Sequence, residues 1–355
     1  MTGRTGRTGR TGRTACTGRR LLGALLAAGL LTACSSDPSG GSPALPATPS
    51  SPSIPAPVTP ATTAPTSAAP KATGPLTGLP VSEEASREAV VAVPVQTGVG
   101  RTAPVGLEDA DVAYVAFPGP DRQRVVALYQ SRGAEQVGPV AQTRPMDGKL
   151  VGVFDAVLQY GGGPASFVRQ LDRTEVTEWS SLTQSAGFTR DTSGLLYADP
   201  AAARAAPGAA PATAGVLAFS TTEATEEGEE REVRVSVPSQ PSLTLRYDPE
   251  DRRWEGSMGD LPLAATNVVV QEVAYEDLVL PQTGGATERD PVLVGADGDA
   301  TVLRPSGAVE GSWNRRGSGT LTSYVGPDAV PVRLAPGNTR VLLVPEGTSV
   351  EGVDG

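Results

Sequence analysis

The chain has 355 residues, a formal charge of −10, 39% hydrophobic and only 4% aromatic residues, and no histidine at all. Such acidity repels nucleic acid and anionic headgroups. Without imidazole, neither a Ser-His-Asp triad nor the usual zinc ligand sets can be assembled.

The N-terminal 33 residues run against this charge, with six arginines and no acids; removing six positive charges from −10 leaves −16 for the remainder. Arg19 and Arg20 precede the uncharged run Leu21 to Leu31, and Leu31-Thr32-Ala33-Cys34 follows. A basic region, a short apolar region and small residues before a cut form the layout of a secretory signal. The run is far short of the ~20 apolar residues that span a bilayer, and it lacks the polar positions of a core helix. Leu31 to Cys34 resembles the bacterial lipobox, which implies cleavage after Ala33 and a diacylglycerol thioether on Cys34. The expected address is extracytoplasmic, on the outer face of the cytoplasmic membrane. The twin arginines leave Sec and Tat export both open.

Residues 34–74 are rich in Ser, Pro, Thr and Ala, with Asp37 and Lys71 as their only charges. They read as a disordered spacer with polyproline stiffness. From residue 75 the pattern changes. Ala89 to Val95 predicts a buried strand, and Asp111 to Phe117 and Arg124 to Gln130 predict two more, joined by the turn at 118–121. Helices are expected over 145–153 and 165–173, flanking a strand from Ala156 to Tyr160. A further helix is expected at Pro200 to Ala206, with Asp199 as N-cap. A Glu-rich tract within 216–231 reads as a solvated loop. Beyond it, strands are expected at Glu232 to Val237, Leu243 to Tyr247, Arg253 to Glu255, Asn267 to Val273, Val292 to Val294, Val330 to Leu334 and Arg340 to Val344. The fold class is therefore α+β and two-lobed, with a mixed half over 75–215 and a β-rich half over 232–350.

Several segments, taken in order, resemble the DUF3048 family. They include 75–79 (Pro-Leu-Thr-Gly-Leu), 107–114 (Leu-Glu-Asp-Ala-Asp-Val-Ala-Tyr), 137–140 followed by Arg144, 160–162, 188–191 and 196–198. In the second half they include 267–271, 311–313 and 334–339. The resemblance implies an exported lipoprotein with N-terminal and C-terminal domains and no assigned activity. Arg101, Arg124, Arg144, Arg190, Asp191 and Trp313 stand at matching positions and form the candidate ligand-binding set. The chain departs from the family at Gln96-Thr97, at Val115 in place of Glu, at Thr192-Ser193-Gly194 and in lacking a histidine near Gly259-Asp260.

No metal site, cofactor or catalytic set is expected. Lysine occurs only at Lys71 and Lys149, so a Ser–Lys dyad would depend on Lys149. Gly161-Gly162-Gly163 reads as a tight turn sooner than an anion nest, and Asp297-Gly298-Asp299 as a hairpin turn sooner than a calcium loop. Arg101, Arg124 and Arg144 could read a carboxylate or phosphate, or pair with Asp109, Asp111 or Asp191. The leading expectation is a non-catalytic envelope protein, held to the membrane through Cys34 and partnered by another envelope protein or a cell-wall component, with no nucleic acid involved. A carboxylate-dependent cell-wall hydrolase and a solute-binding lipoprotein for a small anion are the alternatives.

Overall fold

The computed structural model describes residues 72–97, 102–120, 122–213, 217, 231–279 and 287–352. The signal segment, Cys34, most of the spacer, Arg101 and all but the end of the acidic tract lie outside these residues. The first half comprises β1 (Ala72–Thr73), β2 (Pro80–Val81), α1 (Glu83–Ser86), β3 (Val91–Val95), β4 (Val112–Gly119) and β5 (Arg122–Tyr129). It continues through α2 (Pro145–Val151), β6 (Val157–Tyr160), α3 (Ala165–Leu171), β7 (Thr177–Ser180), β8 (Phe188–Arg190), β9 (Leu196–Ala198) and α4 (Pro200–Ala203). Asp199 caps α4 as expected, its Oδ1 accepting the Ala201 N–H at 2.9 Å.

The second half is built mainly of strands: β10 (Arg231–Ser236), β11 (Leu243–Asp248), β12 (Arg253–Met258), β13 (Leu261–Ala265), β14 (Asn267–Glu272) and β15 (Tyr275–Val279). Then follow β16 (Thr287–Pro291), β17 (Ala296–Arg304), β18 (Gly307–Arg315), β19 (Ser323–Val325), β20 (Thr339–Val344) and β21 (Ser349–Glu351). Strand thus dominates: among the described residues the α-helices, all short, lie in the first half, and the second half adds one 3-10 turn at Pro327–Ala329.

Among the described residues the two halves share one ten-stranded sheet, in the order β19-β18-β17-β14-β20-β4-β5-β3-β6-β7. The join is β20, which lies parallel to β14 on one side and to β4 on the other. Its entry is fixed by side chains. Asn267 donates to the Ala335 carbonyl at 2.9 Å and accepts the Ala335 N–H at 2.9 Å, while Asn338 accepts the Thr266 N–H at 3.0 Å. Gly337 has φ +147°, and a Cβ there would lie 2.1 Å from Thr266 Oγ1. Only glycine fits so close an approach. The stretch at 334–339 is therefore a device for threading β20 between the halves.

Both faces of the sheet are buried, which explains why its central strands read as continuous apolar runs. Successive side chains alternate between faces. Val91, Val93, Val95, Val115, Phe117, Val125 and Ala127 share a core with Val235, Leu243, Leu245 and Trp254 of the five-stranded sheet β13-β12-β11-β10-β21. Val90, Ala92, Ala116, Val126 and Leu128 pack on the other face with Met146, Leu150, Val151 and Leu171 of α2 and α3.

Three local expectations are corrected. Val292 to Val294 is a connection between β16 and β17, turned by Gly295 at φ +72°. Val330 to Leu334 forms no strand: Val330 is exposed, and Pro331, which has no N–H to donate, makes only an isolated bridge to Val325. Asp297-Gly298-Asp299 is neither turn nor calcium loop but part of β17, where Gly298 sits opposite Trp313.

Candidate functional site

The pairings of the large sheet send β3, β4, β6, β7, β14 and β20 in one direction, so their carboxyl ends share one edge. In open sheets of this kind ligands bind outside the carboxyl ends of the strands. Two features stand at or beside this edge: a charged cluster between α2 and the β15–β16 hairpin, and a cleft of about 400 Å³ beyond β4, β14 and β20.

Arg124, near the start of β5, is buried and holds the fully buried Asp147 of α2 through two N–H groups, with Nε to Oδ1 at 3.0 Å. It also donates to the Gln142 carbonyl at 2.8 Å. Asp147 accepts further from Thr143 Oγ1 at 3.2 Å and from the Arg144 N–H at 2.8 Å. The local sequence accounts for this placement. Pro145 occupies the first turn, and Asp147 reaches back to the residue before it, as a carboxylate at a helix start does. Arg144 pairs with Glu288 of β16 at 3.3 Å and lies over the Phe167 ring at 5.2 Å. Burial lowers the Arg144 pKa from its ordinary value, and Glu288 opposes that shift. Lys149 Nζ sits 2.8 Å from Asp290 Oδ2, whose carboxyl is fully buried, and 3.7 Å from Glu276 Oε1. Burial raises the Asp290 pKa, with Lys149 pulling the other way.

The cleft beyond the strand ends is lined by Phe117, Pro120, Pro238, Tyr275, Arg289 and Pro345, among others. Tyr275 anchors the hairpin there, donating its hydroxyl to the Leu343 carbonyl at 2.6 Å and accepting the Phe117 N–H at 2.8 Å. It bridges β20 and β4 just past their last pair. Arg289 lies over the Tyr275 ring at 5.5 Å and pairs with Asp277 at 3.7 Å.

The structure brings Arg124 and Arg144 together but gives them Asp147 and Glu288 as partners, not Asp109, Asp111 or Asp191. Asp111 instead accepts the N–H groups of Gln130 and Ser131, each at 2.7 Å, and the Ser131 hydroxyl. Arg190 and Asp191 belong to the separate β8–β9 hairpin. Arg190 donates to the Gly194 carbonyl at 2.8 Å, and Asp191 closes the turn by accepting from Ser193 and Leu195. Trp313 is core, its Nε1 donating to the Glu272 carbonyl at 2.7 Å. Of the departures from the family pattern, Val115 suits the apolar face on which it is buried. Gln96 donates to the Val140 carbonyl at 2.9 Å, and Thr97 to the Gln123 carbonyl at 3.1 Å. Gly162 takes φ +90° between β6 and α3, the backbone of a tight turn.

Sequence reasoning missed Asp147, Glu288 and Asp290, and treated Lys149 only as half of a dyad. For Asp147 a local signal existed, a carboxylate three residues after Arg144 with proline between them. For Glu288 and Asp290 none did, because a short hairpin reveals nothing of what it packs against. Among the described residues no group of three or more metal-ligating side chains comes together, and no helix is long and apolar enough to cross a membrane.

Comparison with known proteins covers both halves. The DUF3048 N-terminal domain, a domain of unknown function, matches residues 76–209, and the DUF3048 C-terminal domain matches residues 233–341. A Bacillus subtilis protein described as "Putative lipoprotein YerB" is 31% identical over 104 residues, 29% of this chain and 31% of that protein. The chain thus matches about a third of that relative's length. The crystal structure of YerB from Bacillus subtilis is similar in fold, with TM-score 0.66 at 22% identity over 79% of this chain and 100% of that one. With both family domains matched in order across most of its length, the chain belongs to the DUF3048 family.

Proposed function

We propose that this protein is a lipid-anchored, non-catalytic binding protein of the cell envelope, held through Cys34 at the outer face of the cytoplasmic membrane and acting as an adaptor between membrane and wall. The observation that carries the non-catalytic reading is the neutralisation of the charged cluster at the sheet edge. Arg124, Arg144 and Lys149 are each spoken for by Asp147, Glu288 or Asp290. A glycosidase needs one carboxyl free to protonate a leaving group and another free to attack or to activate water. Here Glu288 and Asp290 hold α2 to the β15–β16 hairpin, and Asp147 holds α2 to β5. A solute-binding role for Arg124 and Arg144 meets the same objection, since an incoming anion would have to displace a resident carboxylate.

The anchoring part of the reading rests on the lipobox resemblance and on kinship with a protein described as a lipoprotein. Two acyl chains supply the membrane affinity that one chain does not. Metabolic labelling with a palmitate analogue tests it: the native chain is expected to incorporate label and sediment with membranes, and Cys34→Ala to do neither. Label on the Cys34→Ala chain would sink the anchor. The non-catalytic part is tested by incubating the purified chain with isolated wall sacculi. The expected result is no release of soluble glycan or peptide fragments; release that Glu288→Gln abolishes would establish the hydrolase instead.

A further inference from the structure

A second cleft, of about 360 Å³, opens between α2, the segment after α3, and the strands β15 and β18. This is within the range of small-molecule sites, about 300–1,000 Å³. Its lining includes Lys149, Arg173 and Arg315 together with Pro145, Leu278 and Val294. The informative residue is Arg315, which is 4% exposed. It donates to the Lys149 carbonyl at 2.9 Å and to the Ser318 carbonyl at 2.9 Å. Both partners are neutral. Among the described residues no carboxylate lies within ion-pair distance of it. A guanidinium carries five N–H donors and keeps its proton in proteins, and a buried charge is ordinarily matched by an opposite one.

Its surroundings sharpen the point. The ionisable neighbours that act on Arg315 are the phenols of Tyr114 and Tyr324. Burial pushes Tyr114 up to about 12 and raises Tyr324 as well, so both are neutral at physiological pH and supply no counter-charge. The comparable buried arginine in the sheet, Arg340, also donates to backbone carbonyls, but Tyr129 and then the carboxylates of Asp111 and Glu108 act on it, and it lines neither of the two clefts. Every arginine of the neutralised cluster likewise has its acid. Among the described residues, Arg315 alone combines burial, a missing counter-charge and a place in a cleft wall. Leu278 and Val294 add an apolar side to that cleft, with Val294 39% exposed, and Glu175 on the rim disfavours a polyanion.

We propose that this cleft binds a small amphiphilic anion, a carboxylate or phosphate monoester bearing a short apolar chain, with Arg315 as the anchoring charge. The anionic head supplies the charge that Arg315 lacks, Arg173 favours its approach, and the chain lies along Leu278 and Val294, whereas Lys149 is already paired with Asp290. This site is separate from the Arg124–Asp147 cluster, and it stands or falls independently of the adaptor reading.

Calorimetric titration of the full chain, carrying Cys34→Ala to keep it free of acyl groups, tests it with octanoate, octyl phosphate, inorganic phosphate and octanol. Saturable binding of octanoate or octyl phosphate is expected, at least tenfold tighter than octanol and than inorganic phosphate. The better of the two amphiphiles distinguishes a carboxylate from a phosphate ligand. Equal binding of octanol would reduce the cleft to an apolar hole, equal binding of inorganic phosphate would remove the role of the apolar wall, and no binding by either amphiphile overturns the site. Arg315→Gln should abolish binding while Arg315→Lys retains part of it. Should Arg315→Gln fail to fold, Val294→Glu on the exposed wall provides the second reading, with an expected loss of at least tenfold; unchanged affinity there would overturn the proposal.

Discussion

One face of the ten-stranded sheet is closed by the five-stranded meander through Val93, Val115, Leu245, Trp254 and their neighbours. The opposite face is closed by α2 and α3, and at its edge the β15–β16 hairpin is tied down by Arg144–Glu288 and Lys149–Asp290. The first closure needs only apolar area and tolerates any partner of the right volume. The second needs particular residues at particular distances. What separates them is how they fail: an apolar face loses stability roughly in proportion to the volume removed, whereas a buried ion pair is worth little intact and costs much when halved.

The largest effect should come from the apolar face. Trp254 is among the largest fully buried side chains, packed on Tyr247 at a ring separation of 5.4 Å. Trp254→Ala should cost about 3–5 kcal/mol by denaturant unfolding. A loss below about 1 kcal/mol would mean that the two sheets close over the gap, and the volume argument would fail. Comparable in size but different in kind is Arg124→Ala, which leaves Asp147 buried without its cation and should cost about 3–5 kcal/mol. Joint replacement by Arg124→Met and Asp147→Leu should recover at least half of that loss. If the double variant is as unstable as the single one, the pair is more than a matched burial.

These regions also differ in how far the sequence disclosed them. The alternation of Val91, Val93 and Val95 with Val90 and Ala92 spelled a strand buried on both sides, and β3, β4, β5 and β6 lie within a residue or two of their expected positions. Apolar period is a local property, so it survives reading without a fold. The insertion of β20 between β14 and β4 is not local. Val112 meets Thr339 only once the chain has built ten strands of the second half, β10 to β19, and nothing in either segment names the other. The same holds for the candidate site. Arg124 and Arg144 could be selected by residue type, but Glu288 and Asp290 acquire meaning only where the hairpin lands. Arg315 was invisible for the opposite reason: its significance lies in the acid that is not beside it.

pH provides a smaller and more selective probe of the charged edge. Burial raises the Asp290 pKa, with Lys149 opposing. The folded state therefore holds this proton more tightly than the unfolded chain, whose carboxyl titrates near ~3.9. The associated stability is fully present below that value and is lost as pH rises through the folded pKa. Asp290→Asn should remove this component, so the wild-type advantage over the variant should shrink between about pH 4 and the folded pKa. A difference that instead grows across this window would show that Lys149 outweighs desolvation and that the Asp290 pKa is lowered.

The smallest effect isolates burial itself. Arg246 and Glu232 make the same kind of contact as Arg124 and Asp147, with Nε to Oε2 at 2.9 Å, but on the outer side of the β10–β11 ladder, where both are exposed. Water already solvates each partner, so removing one leaves no stranded charge. A double-mutant cycle on this exposed pair should give a coupling of about 0.2–1 kcal/mol that fades with added salt. The cycle at Arg124 and Asp147 should exceed it several-fold and respond little to salt. Equal couplings at the two sites would locate the energy in arginine–carboxylate geometry and take it away from burial, and the contrast between the two closures of the sheet would go with it.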